Sequence, residues 1–258
     1  MKIKWLRRNK KIGLALGGGA ALGAAHIGVL RAFDELGLKI SYISGNSIGA
    51  MAATLYAFGI DWKEQEVLSK DMKWLEVSNI SISKYGLLSN KKIGQKITKA
   101  IGDEDFQNAQ IPLAIVASNL NTGQKIVLKE GEVAKAVMAS TAIPGVFKPI
   151  EIDNKLLVDG GIVENVPVSL LTDLGAELTI GVNLNGKRKY KKPENLFSVL
   201  INSYYTLIDN LSKVHTSKAD LVIEPDLSDY SLIDTRNTKK LIELGSLEAK
   251  KALTEYFF

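Results

Sequence analysis

The chain has 258 residues, 46% of them hydrophobic, enough to bury the core of an enzyme-sized α/β domain and unlike the composition of a disordered chain. It contains no cysteine, which excludes disulfides, thiolate nucleophiles and cysteine-ligated metals, and any histidine-dependent mechanism must use His26 or His215. The formal charge is +5, much of it in Lys2, Lys4, Arg7, Arg8, Lys10 and Lys11 and in the run from Lys187 to Lys192, so that an anionic membrane surface is a possible peripheral contact.

In chain order, the basic residues 1–10 form a separate segment, and residues 11–258 read as a single domain. Ile12–Leu16 is a short buried strand that ends in Gly17-Gly18-Gly19. An alanine-rich helix follows to about Leu36 and is closed by Gly37. The apolar stretch from Ile12 to Ala25 is saturated with glycine and alanine and lacks a cleavage pattern, so no signal peptide is expected. A second strand, Ile40–Ser44, turns through Gly45-Asn46-Ser47 into a helix ending near Phe58 and Gly59. Two β-loop-α units in succession open a parallel sheet covered by helices.

Residues 61–109 read as mostly helical, with breaks at Tyr85-Gly86 and near Gly102. Their apolar residues, Trp62, Trp74, Leu75, Leu87 and Leu88 among them, suit an acyl-chain pocket or the core of covering helices. Strands are expected at Ile111–Ala117, Lys125–Leu128, Leu156–Val158, Leu178–Leu184 and Leu221–Glu224. Helices are expected after Gly131, over Glu194–Ala219 and over Lys239–Phe257. No apolar run reaches transmembrane length. The expected location is the cytoplasm, with peripheral contact at the inner membrane surface as a further expectation, and no nucleic-acid recognition module follows either basic patch.

Three segments carry candidate chemistry. Gly45-Asn46-Ser47-Ile48-Gly49 is G-x-S-x-G between a strand and a helix, the setting that holds a nucleophilic serine exposed on a tight turn. A serine N-cap at an ordinary turn is the competing reading. Gly17-Gly18-Gly19, with Gly23 beyond, can direct consecutive N–H groups at one oxygen, as an oxyanion hole requires. A phosphate site competes, but the spacing is neither G-x-G-x-x-G nor G-K-[S/T]. Asp159 ends a short strand and precedes Gly160-Gly161, which permit close approach of another loop. A free aspartate is a weak base at neutral pH, so this chemistry requires Asp159 in close contact with Ser47. His215 falls inside a helix and His26 among apolar neighbours, so both read as structural.

Together these segments resemble the patatin-like phospholipases. The resemblance rests on Gly17-Gly18-Gly19 through Gly23 to Leu30, on Gly45–Gly49, on Ala139–Phe147 and on Asp159-Gly160-Gly161 through Asn165 to Pro167. It implies a three-layer α/β sandwich with a central, mostly parallel sheet, and hydrolysis of fatty acyl esters in phospholipids, lysophospholipids or related lipids without cofactor or metal. It further implies Ser47 as nucleophile, Asp159 as base and the amides of Gly18 and Gly19 as oxyanion donors. Gly17, Gly23, Gly45, Gly49, Gly160 and Gly161 would support the site. One departure is Leu22, where the family usually carries arginine or lysine; on this reading an arginine there should raise phospholipid turnover. A catalytically silent scaffold and a histidine-dependent esterase are the alternatives, the latter requiring His215.

Overall fold

In the computed structural model, which describes residues 7, 9–70, 79–83, 86–188 and 192–258, Ile12–Leu16 forms strand β1 and is buried at every position. A strand buried on both faces belongs at the centre of a parallel sheet. Its neighbours are β2 (Ile40–Gly45) and β9 (Leu178–Val182), both parallel to it. Beyond β9 lies β10 (Leu221–Ile223), again parallel, and beyond β2 lies β5 (Leu113–Asn119). There the direction changes: β6 (Lys125–Leu128) and β8 (Lys155–Asp159) pair antiparallel with β5, and β7 (Ile150–Ile152) pairs antiparallel with β8.

Period-2 alternation sends each strand's side chains to two cores. Ile12, Leu14 and Leu16 enter a large apolar cluster on one face, shared with helices α1 (Ala24–Glu35) and α2 (Ile48–Ala57). Ala15 points to the opposite face, where it meets Val166, Val168 and Leu171 of the segment leading into and forming α7 (Val168–Leu174). Ala114 and Val116 of β5 join that second face against Leu170. The result is the expected α/β sandwich, with helices on both sides of a mostly parallel sheet. The remaining helices are α3 (Trp62–Lys70), α4 (Lys91–Ile101), α5 (Val133–Ser140), the short α6 (Gly161–Glu164), α8 (Leu196–Thr216) and α9 (Thr238–Phe257).

Two stretches depart from the sequence expectation. Residues 61–109 are not mostly helical: α3 and α4 flank a two-stranded antiparallel hairpin, β3 (Asn79–Ser83) and β4 (Gly86–Ser89). Isoleucines alternating with polar residues in Asn-Ile-Ser-Ile-Ser follow the period of a strand, and Gly86, which reads as a helix break, instead opens β4 opposite Ser83. Trp74 and Leu75 lie outside the described residues. The second departure is strand β7, joined to β8 by Asp153-Asn154, both at positive φ (50° and 58°) as a tight right-twisted hairpin requires. At the other end of the chain, Arg7 lies 4.0 Å over the Tyr256 ring and donates to the Tyr256 carbonyl at 3.1 Å, which ties this part of the basic segment to α9.

Candidate active site

Leu16 pairs with Gly45 across β1 and β2, so the two loops that follow these strands leave the sheet side by side. Asn46 N–H donates to the Leu16 carbonyl at 3.0 Å and continues that pairing one residue beyond the strands. Ser47 comes next, at φ 55° and ψ −125°, in the region that disfavours side chains. Such a conformation persists only where surrounding contacts enforce it. Here Ser47 N–H donates to Ser140 Oγ at 2.8 Å, and the Ser47 carbonyl accepts from Ala50 and Met51 at the start of α2. The flanking glycines leave no room for substitution: a Cβ on Gly45 would stand 2.6 Å from Ala50 Cα, and one on Gly49 2.1 Å from the Leu16 carbonyl oxygen.

Asp159 is brought to Ser47 by the antiparallel half of the sheet. It ends β8 opposite Ala117 of β5, while β5 in turn pairs with Gly45 two positions earlier, at Ile115. The carboxylate is buried, and Oδ1 accepts from Gly161 N–H at 2.8 Å and Asn46 Nδ2 at 3.2 Å. Burial pushes its pKa above the usual carboxylate range, and hydrogen bonds from the Ser47 hydroxyl, Gly161 N–H and the Asn46 amide oppose that shift. Gly160 and Gly161 permit the approach, since a Cβ on Gly160 would meet Val116 Cγ1 at 2.3 Å and Asn46 Oδ1 at 2.6 Å.

Asn46 joins the parts, and the motif reading passed over it as the variable position of G-x-S-x-G. Its amide nitrogen reaches both Asp159 Oδ1 and Asn165 Oδ1, each at 3.2 Å, while its oxygen accepts from Ser140 Oγ at 3.3 Å. Ser140 and Asn165 were likewise quoted only as members of longer runs. What could have singled them out is the presence of amide and hydroxyl side chains inside otherwise apolar segments, where a buried polar group requires a partner.

The glycine loop lies against the serine, for a Cβ on Gly18 would stand 3.2 Å from Ser47 Cβ. Its amides are not all available. Gly17 N–H donates to the Val182 carbonyl at 3.1 Å and Gly18 N–H to Asn165 Oδ1 at 3.1 Å. Gly19 N–H, the second expected donor, has no partner among the described residues. Two buried side chains hold the loop from behind: Asn185 Nδ2 donates to the Gly18 carbonyl at 2.9 Å and His26 Nε2 to the Gly17 carbonyl at 2.7 Å. Burial pulls the His26 pKa down to about 4, so the ring is neutral with its proton on Nε2. Gly23 is locked against Ile48 Cγ1, which a Cβ would meet at 2.0 Å.

Neither histidine stands beside Ser47. His215 faces Glu164, Lys218 and Lys125, and burial lowers its pKa. Leu22 is 2% exposed and belongs to the large core, so an arginine there would carry its charge into an apolar interior; the expected gain in phospholipid turnover is withdrawn on that ground. Between the Ala20–Gly23 turn, α2 and α3 runs an apolar groove with a cavity volume of about 60 Å³, lined by Ile27, Ile48, Met51, Leu55 and Leu68. Residues 61–109 thus contribute Leu68 to it, whereas Trp62 turns away, donating to Asp34 Oδ2 at 3.1 Å with Arg31 5.6 Å from its ring.

A serine at positive φ on a strand-to-helix turn, at the carboxyl end of a parallel strand in a three-layer sandwich, defines the class as α/β proteins with a nucleophile-type elbow. Within that class the chain belongs to the patatin-like phospholipase family, whose description matches residues 14–172. An uncharacterized NTE family protein of Mycobacterium tuberculosis is 36% identical over 181 residues, covering 68% of this chain and 49% of that protein. A lysophospholipase of Emericella nidulans is 24% identical over 276 residues, 95% of this chain and 18% of its own length. The chain therefore spans about half or less of these relatives. Among solved structures, VipD from Legionella pneumophila superposes with a TM-score of 0.60 at 16% identity, covering 96% of this chain and 67% of VipD, a likeness of fold.

Proposed function

We propose that the protein hydrolyses acyl esters of lipids through a covalent acyl-enzyme, with Ser47 as nucleophile and Asp159 as its base. The observation that carries this reading is the buried Asp159 carboxylate set beside the Ser47 hydroxyl, which opposes the rise in its pKa, while His26 is bound to the Gly17 carbonyl and His215 faces Glu164. Ser47 Oγ attacks the ester carbonyl and its proton passes to Asp159. Gly19 N–H, assisted by the N-terminal end of α2, holds the oxyanion. The proton then leaves with the departing alcohol, and water releases the fatty acid from Ser47 in a second step. Burial supports the role of Asp159, because a carboxylate raised toward neutrality is a better acceptor for a serine proton than one in water. The apolar groove beside Ile48 is suited to the acyl chain, and the family description and the name of the fungal relative favour phospholipids and lysophospholipids respectively as the ester.

The test is intact-protein mass after treatment with an alkyl fluorophosphonate, run on the parent, Ser47→Ala and Asp159→Asn. The expected result is one adduct on the parent, none on Ser47→Ala and a rate at least a hundredfold lower on Asp159→Asn, within the usual range for losing a catalytic base (about 100- to 10,000-fold). A folded parent that takes no adduct would favour a silent scaffold. An adduct that survives Ser47→Ala would move the nucleophile elsewhere.

A further inference from the structure

The family match ends at residue 172, yet α8, spanning residues 196–216, packs against α6 beside Asp159. Residues four apart share one side of a helix, and three such positions of α8 meet the groups around Asp159. Ser212 Oγ accepts from Asn165 Nδ2 at 3.0 Å, the same Asn165 that receives the Gly18 N–H. Ile208 Cδ1 sits 2.9 Å from where a Cβ on Gly161 would stand, over the amide that binds Asp159. One turn earlier, Tyr204 sets its hydroxyl toward the Asp159 carboxylate, shut off from solvent and without a hydrogen-bond partner of full geometry among the described residues.

A buried hydroxyl without a partner is uncommon and carries a desolvation penalty until it finds one. Asp159 Oδ1 already accepts two hydrogen bonds, from Gly161 and Asn46. The second carboxylate oxygen is the one left for Ser47 and Tyr204. We propose that Tyr204 is a positioning residue of this site: as substrate engages Ser47, its hydroxyl donates to the Asp159 carboxylate, holding it ionised and turned toward the serine. The inference rests on the reading of Asp159 as base. Tyr204 serves as a donor only, because burial and the neighbouring carboxylate push its own pKa well above the usual phenol range and the proton stays on the ring oxygen. The other titratable group of α8 that bears on Asp159 is Tyr205, which Arg188 covers at 4.6 Å and Asp209 also approaches; the groups facing Asp159 from the β2–α2 turn and from α6 are the uncharged Ser47, Asn46 and Gly161.

The experiment is a pair of pH profiles on Tyr204→Phe, which keeps the ring that packs edge-on against Tyr205. One profile is kcat for a p-nitrophenyl ester and the other the maximal rate of Ser47 modification at saturating fluorophosphonate, both of which report the base in the occupied site, between about pH 5 and 9. A base must be deprotonated to act, so activity falls on the acid side of its pKa. Removing a donor to the carboxylate raises that pKa, and the acid limb of both profiles should move up by on the order of one pH unit, with KM unchanged and the rate approaching that of the parent at high pH. An unmoved limb, or a loss equal at every pH, would overturn the proposal and leave Tyr204 a packing residue. Ile208→Ala loosens the same helix contact without touching a donor; a limb that moved in this variant too would assign the shift to loosening and count equally against Tyr204. Asp159→Asn separates the two readings: if it retains the parent rate, Asp159 is no base and the parent reading falls first.

Discussion

At the residue scale, burial acts in opposite directions on the two ionisable groups that frame the site, raising the pKa of Asp159 and lowering that of His26. The consequence for stability is sharper for His26. Its pKa falls from an ordinary 6.5 to about 4, so the folded state favours the neutral ring. That preference contributes fully above pH 6.5 and is lost as pH falls through 4, a span worth about 3 kcal/mol. Urea unfolding at neutral pH and near pH 4 should therefore show the parent losing about 3 kcal/mol more than His26→Gln, which has no ring to protonate. Equal losses in the two proteins would refute this account. His26 was legible in the sequence as a packed histidine, but its bond to the Gly17 carbonyl was not. That bond joins residues nine apart on different elements, and no local spacing records it.

At the element scale, the first and last of the long helices, α1 and α9, pack backbone to backbone. A Cβ on Gly28 would stand 1.9 Å from the Ile242 carbonyl oxygen, and one on Gly245 2.1 Å from that of Ala25. The two backbones touch only because neither position has a side chain. Gly28→Ala should force the helices apart and cost roughly 2–3 kcal/mol, read as a lower urea midpoint with the m-value preserved. A variant as stable as the parent would mean that α9 shifts without penalty. Gly28 sits inside the quoted glycine motif, so its presence was visible while its purpose was not. Gly245 carries no motif. The hairpin of β3 and β4 was missed for a related reason: each strand holds only about two periods of alternation, and the helical patterns on either side dominate the window.

At the scale of the whole molecule, no described helix is long and apolar enough to cross a membrane. Exposed Lys187 and Lys192 bracket the basic run, and Arg188 lies over Tyr205 of the helix that covers Asp159. Neutralising Lys187, Lys191 and Lys192 to glutamine while sparing Arg188 should weaken binding to phosphatidylserine-containing vesicles by at least tenfold at low salt, at about 1 kcal/mol per lysine. Equal binding by parent and variant would remove the membrane role of this loop. The sequence by itself determined the strand–turn–helix units, the helix-covered parallel sheet, and Ser47, Asp159 and the glycine loop as the candidates for chemistry, because each is a local pattern of residue type and spacing. Only the tertiary structure decided which amides of the glycine loop remain unengaged, that Asn46 and Asn165 bind the loops together, that Leu22 is core, and that Tyr204 arrives over Asp159 from a helix 45 residues further along the chain. Those facts depend on which segments the sheet order brings side by side, and pairing between distant strands leaves no trace in the spacing of neighbours.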